Sequence, residues 1–73
     1  MSHRKKAAKV LSNQRQKLGL AQVEVAERVR NRGIATLSES HLRKIEKGLA
    51  LPNVIIAMEI AEVLGTDVYD IWG

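Results

Sequence analysis

Residues 38–48 read Ser38-Glu39-Ser40-His41-Leu42-Arg43-Lys44-Ile45-Glu46-Lys47-Gly48. This spacing predicts a short helix with a marked start and a marked stop. Ser38 suits the N-cap, because its hydroxyl can accept a bond from a free first-turn N–H. Gly48 suits the left-handed residue that ends a helix. Side chains placed about every 100° put Leu42 and Ile45 on one side. Ser40, Arg43, Lys44 and Lys47 then face the other way. Such a helix is anchored by two apolar residues and turns a hydroxyl and three cations outward. It is suited to an anionic partner, and helical dimensions fit the major groove of DNA.

Working outward, Gln22 to Val29 or Arg30 predicts a preceding helix with Val25, Ala26 and Val29 as its core face. Asn31 to Leu37 connects the two, with a turn at Gly33 and with Ile34 and Leu37 tucked onto the core. A first helix is expected from Arg4 to Leu18, with Ala7, Val10 or Leu11, and Leu18 facing inward. Arg4, Lys5 and Lys6 fall at the positive end of its dipole, where cations are unfavourable, so residues 1–6 read as a frayed basic arm. A fourth helix is expected from Asn53 to Leu64, with Ala57, Ile60, Ala61 and Leu64 inward and Pro52 just before its start. A fifth, from Val68 to Trp72, has Asp67 as N-cap and Asp70 placed to complete a capping box. Gly19, Gly48 and Gly65 each follow a helical run and read as C-terminal caps. No stretch alternates strictly, so the class is all-α: five helices in one domain spanning residues 1–73.

Composition narrows the partners. The chain has 73 residues and no cysteine, which removes disulfides and thiolate metal sites and fits the cytosol. No apolar run approaches the ~18 residues of a membrane span, and the basic N-terminal stretch lacks the apolar region of a secretory leader. The net charge of +4 favours an anionic partner such as nucleic acid. Tyr69 and Trp72 are the only aromatics, too few for base-stacking platforms. His3 and His41 have no carboxylate at ligand spacing, so neither a metal nor a cofactor is expected. No catalytic triad, phosphate loop or cysteine nucleophile is present, and enzymatic activity is not expected.

These pieces together resemble the lambda-repressor/Cro (Xre) class of helix-turn-helix proteins. The matching runs are Arg15-Gln16-Lys17-Leu18-Gly19-Leu20-Ala21-Gln22, Glu24-Val25-Ala26, and Leu37 through Gly48. They continue with Pro52, with Ile60-Ala61-Glu62-Val63-Leu64-Gly65, and with Val68-Tyr69-Asp70-Ile71, so about Leu11 to Trp72 is covered. The resemblance implies a compact five-helix DNA-binding domain whose third helix reads bases. One departure stands out. The connection before that helix is longer than the family's tight turn by roughly six residues, in the Arg30–Thr36 stretch, an insertion that adds little loop entropy.

Residue roles follow from the resemblance. Glu39, Ser40, His41 and Lys44 match base-reading positions. Lysine can donate to guanine, glutamate can accept from cytosine, and serine can do either. Arg43 and Lys47 match phosphate contacts, which position without specifying. Gln22 matches a glutamine that opens the second helix and grips phosphate. Glu46 matches a glutamate that pairs with an arginine of the first helix, here Arg15, a pair that ties the two helices and holds Arg15 near a phosphate. Arg30 and Arg32, in the lengthened connection, either add phosphate contacts or change the tilt of the third helix.

Leu49, Leu51, Ile55 and Ile56 are more apolar than the family usually shows there. Either some of them pack locally, or they form an apolar patch for self-association, because exposed apolar patches mark interfaces; Val68, Tyr69 and Trp72 are a second candidate surface. A two-fold dimer would place two recognition helices about 34 Å apart on an inverted repeat of double-stranded DNA. The expectation is a cytoplasmic, nucleoid-associated regulator, a repressor of phage, plasmid or mobile-element type. Competing expectations are a protein-interaction module, such as an antitoxin or anti-repressor partner, and non-specific nucleic-acid packaging.

Overall fold

The computed structural model describes the backbone of residues 3–73 and the side chains of residues 4–73. Five helices follow one another, α1 His3–Lys17, α2 Gln22–Asn31, α3 Glu39–Glu46, α4 Val54–Val63 and α5 Val68–Trp72, and no strand occurs among the described residues. α1 packs on α3 and α5, α2 on α3 and α4, and α4 on α5. Leu11, Val25, Val29, Leu37, Leu42, Ile45, Ile60 and Leu64 fill the centre and are essentially removed from water. Burying an aliphatic side chain of this size stabilises by about 1.5–3 kcal/mol, so these positions define the arrangement of the helices.

The helix ends follow local chemistry. Ser38 Oγ accepts from His41 N at 3.0 Å, and Asn53 Oδ1 accepts from Ile56 N at 2.8 Å. Asp67 and Asp70 form the expected capping box of α5, and Asp70 also accepts from the Thr66 hydroxyl at 3.0 Å. At the end of α3, Gly48 N donates to Ile45 O (3.1 Å) and Leu49 N donates to Lys44 O (2.9 Å). This pair of bonds is the Schellman closure. Equivalent bonds after Gly19 and Gly65 close α1 and α4.

The first helix departs from expectation at both ends. Arg4, Lys5 and Lys6 lie within α1 and are not a frayed arm, while residues 1 and 2 of that expected arm fall outside the described residues. The dipole penalty is overridden by packing. Ala7 and Ala8 are buried, and Lys5 lies directly against Gly48 at the end of α3. At the other end Leu18 is half-exposed. Its direction continues the apolar stripe, but it stands where the chain turns at Gly19 (φ +72), beyond the central packing.

The α2–α3 connection covers residues 32–38. Leu37 is fully buried, whereas Ile34 is exposed and does not tuck onto the core as expected. The connection is held by polar ties instead. Arg30 Nη1 donates to Leu37 O at 2.8 Å, and Arg32 Nε lies 2.6 Å from Glu59 Oε1 on α4.

Candidate nucleic-acid interface

α3 presents two unlike faces. Leu42 and Ile45 are buried, and Glu39, Ser40, Arg43, Lys44 and Lys47 are exposed. His41 is half-buried, near the N-terminal edge of the exposed face. Arg43 Nη2 stands 3.7 Å from Glu39 Oε2 one turn away. Both side chains are about half exposed, and such a pair contributes only about 0.3–0.5 kcal/mol. The face therefore keeps its cations available, with Glu39 as the one carboxylate among them.

α3 is fixed from below by Glu46. Its two carboxylate oxygens accept from Arg15 Nε (2.8 Å) and Nη2 (2.9 Å) in a bidentate pair. Arg15 Nη1 also donates to Leu20 O at 2.8 Å, so one guanidinium joins α1, the α1–α2 turn and α3. The side chains of Arg15 and Glu46 are 14% and 5% exposed. A phosphate contact from Arg15 would use only the edge that these bonds leave over.

Gln22 opens α2 and is half-buried. The preceding residue, Ala21, takes the N-cap backbone geometry, but its methyl cannot accept a hydrogen bond. Glu24 Oε1 satisfies only Ala21 N, at 2.8 Å. No side chain caps the first-turn N–H groups of α2, which suits that end to an anion.

A family model described as helix-turn-helix matches residues 11–71. The chain belongs to the helix-turn-helix family of the Xre/lambda-repressor type. That family consists of DNA-binding transcription regulators and is not typically enzymatic. No curated protein and no solved structure matches the chain. In this helix-turn-helix protein the described residues contain no group of histidine, cysteine, aspartate and glutamate that could hold a metal ion. No helix among them is long and apolar enough to cross a membrane.

Sequence reasoning missed one residue of consequence. Glu59 is a buried carboxylate on α4, 8% exposed at its side chain, paired with an Arg32 side chain that is 40% exposed. The Glu59 hydrogen bond raises the Arg32 pKa above its ordinary value. The signal was available: Glu59 sits beside Ile60 and three residues after Ile56, on the inward side of a helix otherwise rich in aliphatics. The expected apolar surface also changes. Ile56 is buried, facing the core from the first turn of α4, so it is not part of an exposed patch. Leu49, Leu51, Ile55 and Tyr69 are exposed, joined by Val54 and Met58. Val68 and Trp72 are half-buried and line a groove of about 480 Å³ with Lys6, Val10 and Leu51.

Proposed function

We propose that this helix-turn-helix protein is a sequence-specific repressor of phage, plasmid or mobile-element type, with the whole chain acting as one DNA-binding domain. A homodimer places α3 of each copy in successive major grooves of an inverted-repeat operator. The observation that carries this reading is the division of α3 into a buried Leu42–Ile45 side and an exposed side bearing Ser40, Arg43, Lys44 and Lys47. Ser40, His41, Lys44 and Glu39 read base edges, while Gln22, Arg43 and Lys47 hold phosphates. Repression follows from occupation of a promoter. The exposed Leu51, Val54 and Tyr69 supply the dimer surface.

Selection of bound duplexes from a random pool at physiological salt tests this. Enrichment of an inverted repeat with half-site centres about one helical turn apart is the expected result. Enrichment of a single half-site would remove the dimer, and no enrichment by folded protein would remove the regulator.

A second reading, a partner-binding module of antitoxin or anti-repressor kind, draws on the exposed Leu49, Val54, Ile55 and Met58. A stable complex with a co-encoded protein, together with weak DNA affinity, would favour it.

A further inference from the structure

The lengthened α2–α3 connection carries two arginines, and each is already engaged within the protein. Arg32 is the C-cap residue of α2, and its Nε meets the buried Glu59 carboxylate of α4 at 2.6 Å. Arg30 Nη1 meets the carbonyl of Leu37, the residue before the N-cap of α3, at 2.8 Å. The connection is thus tied to α4 where it begins and to α2 where it ends. Between the ties, Gly33 turns the chain with φ +75 and Ile34 is exposed. Only Ala35, in that stretch, packs on the core.

This arrangement bears on α3. With only eight residues, α3 is about 12 Å long. Its exposed N-terminal residues, Glu39 and Ser40, follow directly on the tied segment. Hydrogen bonds to base edges tolerate only a few tenths of an ångström. A connection free to shift would therefore blur what those residues read. The charge of Arg32, moreover, is compensated by Glu59, with Glu62 also near enough to favour the charged guanidinium. A cation already compensated in this way neutralises a phosphate less than a free one would, and releases correspondingly less counterion.

We infer that Arg32 and Glu59 are a positioning pair that fixes the N-terminal end of α3 for base reading, and that Arg32 is not a phosphate ligand. This rests on the DNA-reading role proposed for α3. Arg30 is the second tie of the same connection.

Three variants separate the alternatives: Arg32→Ala, Glu59→Ala, and the double Arg32→Ala/Glu59→Ala. Arg32→Ala leaves a lone buried carboxylate and is the variant most prone to unfold. Glu59→Ala and the double variant leave none, and alanine favours the helix, so they keep the test informative. For each, affinity is measured below its melting temperature, for the duplex recovered from the random pool and for a scrambled duplex of equal length, across a salt series.

The positioning role predicts that Glu59→Ala lowers discrimination between the two duplexes by about 5-fold or more, the loss of roughly one base contact. The salt slope stays at least as steep as wild type, and the double variant matches Glu59→Ala in discrimination. A phosphate role predicts the opposite pattern. Glu59→Ala then frees a cation and keeps discrimination, while the double variant loses a slope of about 0.9 per protomer. That second pattern overturns the inference and leaves the regulator intact. A wild-type protein that does not distinguish the two duplexes at all overturns both.

Discussion

Arg15 and Glu46, 31 residues apart, form a bidentate ion pair at 2.8 and 2.9 Å, with the carboxylate almost wholly shielded from water. The pair is a direct polar link between the first helix and the helix that faces outward. Its loss is unequal from the two sides. Arg15→Ala strands a buried negative charge and also leaves the Leu20 carbonyl without its donor. Glu46→Ala strands a cation that keeps the Leu20 carbonyl and has more access to solvent.

Both substitutions are therefore expected to destabilise, by about 3–5 kcal/mol, the range for breaking a buried pair. A domain of this size holds only about 4–11 kcal/mol in total. The expected signature is a Tm lower by at least about 12 °C, with Arg15→Ala melting below Glu46→Ala. A melt of Glu46→Ala that overlays the wild type would show that the pair contributes nothing.

Arg43 and Lys47 are exposed cations near the C-terminal end of α3. Replacing either with alanine is expected to weaken binding to every duplex by a similar factor. The slope of log affinity against log salt should become shallower by about 0.9 per contact removed. Titrations at several salt concentrations, on two unrelated duplexes, check both parts.

Lys44 is expected to behave differently. Lys44→Ala should relax preference at one position of each half-site, with a penalty of about 1–3 kcal/mol confined to the wild-type base. Repeating the random-pool selection with the variant reads this out. An unchanged preferred sequence would place Lys44 off the base edges.

Gly48 and Gly33 share nearly the same backbone, φ +74 and +75, but not the same surroundings. A Cβ at Gly33 meets nothing within 4 Å, whereas one at Gly48 lies 3.1 Å from Lys5 Cγ and 3.4 Å from Lys5 Cα. Gly33→Ala should thus lose only the left-handed backbone term, about 1–2 kcal/mol. Gly48→Ala should lose that and also push α1 from α3. Paired denaturant titrations are expected to rank Gly48→Ala as the less stable.

Exposed Val54 and Tyr69 are expected to serve the dimer. Val54→Glu and Tyr69→Glu should leave the monomer folded, because neither side chain is in the core. They should also raise the concentration at which sedimentation shows association. A wild-type protein that stays monomeric at high concentration, with and without operator, would direct these residues to another partner.

The sequence by itself determined the five helices and the ends of all but the first. Ser38, Asn53 and Asp67 cap through bonds to residues two or three positions away, and Gly19, Gly48 and Gly65 close helices through equally local bonds. Such signals act over one turn, so they are legible without knowing what packs on what. The two-faced pattern of α3 was legible for the same reason: its polar and apolar residues differ sharply. α4 was legible only in part: Ala57, Ile60, Ala61 and Leu64 read as its inward face, but its start, Val54-Ile55-Ile56-Ala57-Met58, is apolar on every side. Only packing against α2 and α5 decided that Ile56 joins Ala57 in facing inward while Val54, Ile55 and Met58 face out. The helical start of α1 likewise went with tertiary packing, since Ala7 and Ala8 are buried and Lys5 lies close to Gly48, 43 positions away along the chain. Arg32 read as a free cation in a loop became half of a pair once folding brought Glu59, 27 positions on, within 2.6 Å. Charge is written in the sequence, but whether a charge is free or compensated depends on distance in space, and tertiary structure alone sets that distance.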